Sequence, residues 1–291
     1  MCPATEVAAP RYHAAGMHDV PAHDDWLAVP EADRLNGFVF TKRRDEARLG
    51  RWTAKCALAL ALGRERDPAS LRDLVIRNAS DGAPEAFVGS DPAAVDVSMT
   101  DRADWAACMV LPSGRASDPG AAAPTGGLGC DLEVVEPRSP RFVEDWFTPR
   151  ERAVVDHAAN PDVAANLIWS AKESALKVLR TGLRRDTRSV EVELEDGIDE
   201  GATDWQPLRV VTAEADTFPG WWRRFGSFVL TCAADRMIAV PQPFVDPCPL
   251  TSAAPTHAWM AAPVRTGAAR APAPTAPPVS PEPPRRPDPP R

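Results

Sequence analysis

Apolar positions recur along this chain with two periods, and the change from one to the other marks its elements. Over KRRDEARLGRWTAKCALALALG, Ala, Leu and Trp fall at three-four spacing and the run stops at Gly63, which predicts a helix with glycine past its C-terminal end. Short apolar or alternating runs at 74–76, 86–88, 95–99 and 105–111 predict strands. Beyond the loop 112–127, rich in Pro, Gly, Ala and Ser, the segment GLGCDLEVV predicts a strand over 127–135. FTPRERAVVDHAA predicts a helix from its first turn, with Thr148 as N-cap, Pro149 at the first helical position and Glu151 closing a capping box. A longer helix is expected from Asn160-Pro161 to about Arg180, with Gly182 beyond it. SVEVELE, PLRVVTA and the run from SFVLTCAA through MIAV alternate and predict antiparallel strands.

Helices against antiparallel strands in both stretches make the expected class α+β, with two similar-sized halves at 26–118 and 119–240. No direct sequence repeat between the halves stands out. A flexible arm over 1–25 and a disordered Pro/Ala-rich tail over 241–291 are expected to flank them. Half of the 32 prolines fall in that tail, which leaves it too little apolar surface to offset the entropy of ordering.

Composition narrows the function classes. The net charge of −8 weighs against nucleic acid as a partner, since that requires a basic surface. No apolar stretch reaches membrane-spanning length, and the N-terminal residues lack the order of a signal peptide. The six cysteines are scattered, with no CxxC or metal-ligand spacing, so reduced thiols in a cytoplasmic protein are expected.

Candidate chemistry lies on the long second-half helix. Ala164, Ile168, Ala171, Ala175 and Val178 form its buried face, while Trp169, Glu173 and Lys177, spaced by four, form a stripe toward water or a cleft. Alone, that stripe is a solvated Glu-to-Lys pair worth about 0.2–0.5 kcal/mol. The preceding strand adds Asp131 and Glu133, two residues apart and so on one face. That face is either an ordinary solvated surface or, if Glu173 joins it, a set of three oxygen ligands for Mg²⁺. Lys177, one turn further, could then meet a phosphate.

GLGCDLE followed by WSAKESALKVL resembles the paired signature of the 4′-phosphopantetheinyl transferase superfamily, G-x-D-x-E on a strand and W-x-x-K-E-x-x-x-K on a helix. RRDEARLGRWTAKCAL and DGAP (81–84) resemble further motifs of its two-domain type, whose fold sets two halves about a pseudo-two-fold axis. The resemblance implies transfer of the phosphopantetheine arm from coenzyme A to a serine of an acyl, peptidyl or polyketide carrier protein, with release of adenosine 3′,5′-bisphosphate. The acceptor could serve fatty acid, polyketide or nonribosomal peptide synthesis, and the chain would act as a monomer. It implies Mg²⁺, with Mn²⁺ as a substitute, on Asp131, Glu133 and Glu173. Glu173 would also be the general base, and Lys177 would hold the diphosphate. Arg44, Arg51 and Lys55, separated by seven and four along one helix side, would contact the phosphates of coenzyme A, with Lys172 a weaker candidate. One position departs from the pattern: SMTDR puts Asp101 where the family has the histidine of S-x-S-H, and Arg102 is the neighbouring cation that would compensate. That departure leaves open a catalytically weakened protein that binds coenzyme A or a carrier. The acidic set alone would also suit a metal-dependent hydrolase of a nucleotide diphosphate. Arg141, Arg150 and Arg152 are either a carrier-docking cluster or surface charges, and Trp146 and Phe147 either an anchor for the partner or core.

Overall fold

The computed structural model describes residues 7–113, 127–194, 198 and 203–256. The first half runs β1 (Arg11–Gly16), α1 (Val29–Asn36), α2 (Thr41–Ala61), α3 (Pro68–Asp73), β2 (Leu74–Asn78), β3 (Pro84–Val88), β4 (Asp91–Pro92), β5 (Val95–Arg102) and β6 (Trp105–Pro112). The second runs β7 (Leu128–Val134), α4 (Pro140–Trp146), α5 (Pro149–His157), α6 (Pro161–Val178), β8 (Val190–Glu193), β9 (Gln206–Thr212), β10 (Thr217–Phe225), β11 (Phe228–Ala234) and β12 (Gln242–Pro243). The strands form sheets ordered β12-β1-β6-β5, β7-β11-β10-β9-β8 and β2-β3-β4. All neighbours are antiparallel except β1 and β12.

The expected flexible arm over 1–25 is corrected by β1. Every residue of this strand except Arg11 is buried, and it pairs with β6 along its whole length. RYHAAG mixes charged, aromatic and small residues without a clean two-residue alternation, yet pairing with β6 along its length, and with β12 at Arg11 and Tyr12, makes it a strand. The tail boundary is also corrected: β12 pairs with β1, and Leu250 in the short turn Pro249–Ser252 is fully buried. The remainder of the expected tail, 257–291, lies outside the described residues, as do 1–6 and most of the 112–127 loop. β10 was not legible because Pro219 and Gly220 interrupt its pattern. Here glycine is required, since an added Cβ at Gly220 would fall on the Cys232 carbonyl of β11.

The two halves share one buried arrangement, and it leaves a short trace in the sequence. Trp52-Thr-Ala-Lys55 of α2 corresponds to Trp169-Ser-Ala-Lys172 of α6. Lys55 pairs at 2.5 Å with Glu31, and Lys172 pairs at 2.7 Å with Glu151. Each glutamate is the third residue of its helix and accepts from its own N-cap amide, Ala28 at 3.0 Å and Thr148 at 2.8 Å. Each also accepts from the third residue of the half's own strand, Ile76 at 3.0 Å and Val192 at 2.8 Å. The lysines complete their donor sets on carbonyls, Trp26 and Leu71 for Lys55, Thr187 and Val190 for Lys172. Three donors with three acceptors is how a fully buried ammonium is tolerated.

The halves meet where β5 and β7, edges of separate sheets, run side by side. Ser98 Oγ accepts from Cys130 N at 2.8 Å, and Thr100 Oγ1 accepts from Leu132 N at 3.0 Å, so two hydroxyls replace a backbone ladder. Arg236 to Asp96 at 2.7 Å and Arg180 to Asp81 at 2.6 Å fasten the same junction from either side.

Candidate active site

The site begins with Gly129 in β7. An added Cβ there would fall on the carbonyl oxygen of Ser174, so α6 lies directly on the strand at this point. That close approach lets Lys177 Nζ donate to Cys130 O at 2.7 Å and to Asp131 Oδ1 at 2.9 Å. The same Oδ1 accepts from Thr100 Oγ1 at 3.1 Å. Asp131 is 7 % exposed, and its second oxygen, Oδ2, is buried without any hydrogen-bond partner.

Glu133, two residues on, faces the same way and is held by arginines. Arg102 Nε at 3.1 Å and Arg138 Nη2 at 3.0 Å both meet its Oε2. Arg102 also reaches Glu136 at 2.8 Å, and Arg138 Nε donates to Asn166 Oδ1 at 2.7 Å. Burial pushes the Glu133 carboxyl up, Asp131 adds to this, and Arg102 and Arg138 oppose it. Glu173 behaves alike: burial raises its carboxyl to about 7, Asp131 and Glu133 push the same way, and Lys177 pulls back. Asp131 thus raises both glutamates. Lys177 is opposed by its own burial, but Asp131 overcomes that and its pKa is raised.

The three carboxyls expected to converge on a metal are not drawn together as a cage: among the described residues, no three His, Cys, Asp or Glu side chains could hold an ion. The donor chemistry nonetheless fits a hard divalent cation. An orphaned carboxylate oxygen in a buried place is costly unless something binds it, and Asp131 Oδ2 is such an atom.

Several expected phosphate contacts are corrected. Lys55 and Lys172 have fully buried side chains and spend all their donors inside the fold, because the face of α2 and α6 that carries them turns to the glutamates of α1 and α5. Arg51, 8 % exposed, is likewise turned inward onto Asn78 and the sulfur of Met99. Arg44 stays at the surface, 3.5 Å from Asp24. The row read along one helix side therefore splits, one member outside and two in the interior. Arg102 does enter the cleft, on Glu133 and Glu136. Asp101, one residue before the end of β5, has one side open to solvent. Protein crowds the rest, and this with Glu46 pushes its carboxyl up to about 6.

Thr100, Arg138 and Glu136 were missed. The first had a signal, as the second hydroxyl of S-M-T-D, but a role against Asp131 could not be read from one strand. Arg138 and Glu136 follow the acidic strand in EPR, which reads as a turn.

Phe147 is fully buried and belongs to the core, whereas Trp146 is 38 % exposed and stacks edge-on with Trp169. Arg141 and Arg150 are surface charges in local ion pairs, and Arg152 caps carbonyls of the preceding turn. Five cysteines among the described residues are free and buried. Among the same residues no helix is long and apolar enough to cross a membrane.

This geometry, an acidic strand under a helix bearing Glu173 and Lys177, falls within residues 127–230, which match the family model described as the 4′-phosphopantetheinyl transferase superfamily. That match spans about a third of the chain. Two solved structures are similar to it. Holo-[acyl-carrier-protein] synthase from Neisseria meningitidis is 19 % identical at a TM-score of 0.30, over 35 % of this chain and 95 % of that one. A holo-(acyl-carrier-protein) synthase from Bacillus anthracis str. Ames, solved in complex with CoA (3′,5′-ADP), is 20 % identical at a TM-score of 0.31, over 37 % of this chain and 98 % of that one. No curated protein matches. The matched segment contains Asp131, Glu133, Glu173 and Lys177, and Thr100 and Arg102 reach Asp131 and Glu133 from outside it.

Proposed function

We propose that the chain transfers 4′-phosphopantetheine from coenzyme A to a serine hydroxyl of a carrier protein. The observation that supports this most directly is the half-satisfied carboxylate of Asp131, set beside Lys177 and under Glu173. Asp131 Oδ2 and the carboxyl of Glu173 would hold Mg²⁺ or Mn²⁺, with Glu133 joining if its arginines yield. When bound, the ion would neutralise charge on a diphosphate and lower the barrier to displacement.

The chain's own residues supply the rest. Lys177 presents a cation, 30 % exposed at its side chain, where negative charge builds on the leaving phosphate. The serine oxygen forms a bond to the phosphorus of the pantetheine arm as the bond to the nucleotide bisphosphate breaks, and the serine proton leaves to Glu173. A carboxyl raised to about 7 is a better proton acceptor than an ordinary glutamate, and is half ionised near neutrality. Arg102 and Arg138 are further cations, both on Glu133, and Arg44 is an outer one on α2.

The test is mass spectrometry of apo carrier proteins from fatty acid, polyketide and nonribosomal peptide systems, incubated with the purified chain, Mg²⁺ and coenzyme A. We expect one carrier class to gain the phosphopantetheine mass, and Asp131→Ala and Glu173→Ala to abolish the gain. Transfer retained in both variants would refute the site.

A second reading, a protein that binds coenzyme A or a carrier without turnover, draws on Asp101 and on the arginine clamp over Glu133. Calorimetry separates the two, because this reading allows carrier binding with no magnesium-dependent coenzyme A signal.

A further inference from the structure

The Asp131 carboxylate is held asymmetrically, and one of the groups responsible comes from the opposite half. Lys177 Nζ and Thr100 Oγ1 both bond Oδ1, at 2.9 and 3.1 Å, while Oδ2 accepts nothing. Thr100 is itself 8 % exposed and locked, since its oxygen accepts from Leu132 N at 3.0 Å. A hydroxyl has one proton to give. With its lone pair engaged by the β7 backbone, the geometry leaves that proton for Asp131 Oδ1. The hydroxyl thus reads the position of β7 through Leu132 and sets the rotation of a carboxylate one residue away.

Ser98 supplies a comparison within the molecule. It stands two residues earlier on β5 and makes the same kind of hydroxyl bond to the β7 backbone, at Cys130 N, without touching Asp131. The two residues share the strand junction and differ only in the contact to the carboxylate.

We propose that Thr100 is a positioning residue for Asp131: by binding Oδ1 it turns Oδ2 into the cleft as the oxygen that meets a divalent cation. The assignment rests on the metal-dependent reading above. It places one determinant of cation affinity on the first half, outside the span 127–230 that carries the acidic residues. Groups that orient a ligating carboxylate typically change metal affinity about 10- to 100-fold when removed.

The test uses the full chain and Mn²⁺ alone, with bound ion read from the loss of the free-ion signal in electron paramagnetic resonance, and thermal unfolding recorded alongside. Thr100→Val keeps the shape and removes the hydroxyl, and should weaken Mn²⁺ binding about 10- to 100-fold. Thr100→Ser keeps the hydroxyl and should bind as the wild type does. Ser98→Ala breaks the matching junction bond and should lower the unfolding temperature without changing Mn²⁺ affinity. If Thr100→Val does not fold, Thr100→Ala against Thr100→Ser makes the same comparison. Equal Mn²⁺ affinity in the wild type and the hydroxyl-free variant would overturn the assignment while leaving the metal reading intact, as would a loss in Ser98→Ala as large as that in Thr100→Val. A wild-type chain that binds no Mn²⁺ would overturn both.

Discussion

The ammonium of Lys172 lies 2.7 Å from Glu151 Oε2 with both side chains wholly out of water. Burial lowers the lysine's pKa and raises the glutamate's, with the partner opposing in each case, so desolvation outweighs attraction on both sides. Lys172→Met, which strands a buried carboxylate, should therefore cost about 3–5 kcal/mol in urea unfolding. The double variant Lys172→Met with Glu151→Gln should recover only part of that loss: it removes the stranded charge, but Thr148 N and Val192 N bond different oxygens of Glu151 and Gln has one acceptor oxygen for the two. Lys55→Met should mirror the effect through Glu31 and leave coenzyme A affinity per folded molecule unchanged. A selective loss of affinity would restore Lys55 to the phosphate site.

Gly129 admits no side chain beneath Ser174. Gly129→Ala should lift α6 from β7, with an overpacking cost of about 1–3 kcal/mol. Because Lys177 reaches Asp131 only through that approach, the transfer rate should fall further than the loss of folded protein explains. Comparing chemical denaturation with single-turnover rates checks this.

Glu133 and Glu173 carry carboxyls raised by burial and by Asp131, and Glu173 also by Glu133. Below about pH 7 Glu173 holds a proton, so kcat/KM for transfer should rise as pH increases through that value. For stability the sign is opposite. The folded chain binds more protons than the unfolded chain between the ordinary glutamate value and about 7, so this contribution is present at low pH and is lost as pH rises through that window. Added Mg²⁺ should flatten the loss. Unfolding temperatures across pH 4.5 to 8 with and without the ion, a range of about the expected transition, measure both effects.

Arg180, just past α6, has a left-handed backbone with φ of 56° and clasps Asp81 of the other half at 2.6 Å. Asp81→Asn removes a partly exposed pair and should cost about 1 kcal/mol or less. Arg180→Gly loses that pair and the 3.5 Å contact to Glu85 but relieves the backbone, so its net change should be no larger. Thermal unfolding of the two variants ranks them, and a larger loss in Arg180→Gly would show that the clasp matters more than the backbone.

Much of the candidate site was legible because it obeys local rules. The two-residue period puts Asp131 and Glu133 on one face, the four-residue period puts Glu173 and Lys177 on one stripe, and Thr148 with Glu151 forms the capping box that the sequence announces. Arg51 and Lys55 misled for a related reason. Helical spacing tells which residues share a side, but whether that side meets water or a buried glutamate depends on a helix distant in sequence. β1 and β10 escaped notice because their pairing partners, not their own composition, make them strands.

Local order along the chain was enough for the α+β class, the acidic strand and the helix that carries Glu173 and Lys177, since periodicity, caps and motif spacing are properties of neighbours in sequence. Tertiary packing alone made Lys55 and Lys172 twin buried anchors, set two arginines on Glu133 and brought the Thr100 hydroxyl to Asp131. Each of those facts depends on which groups lose water together, and that is settled by how distant segments pack.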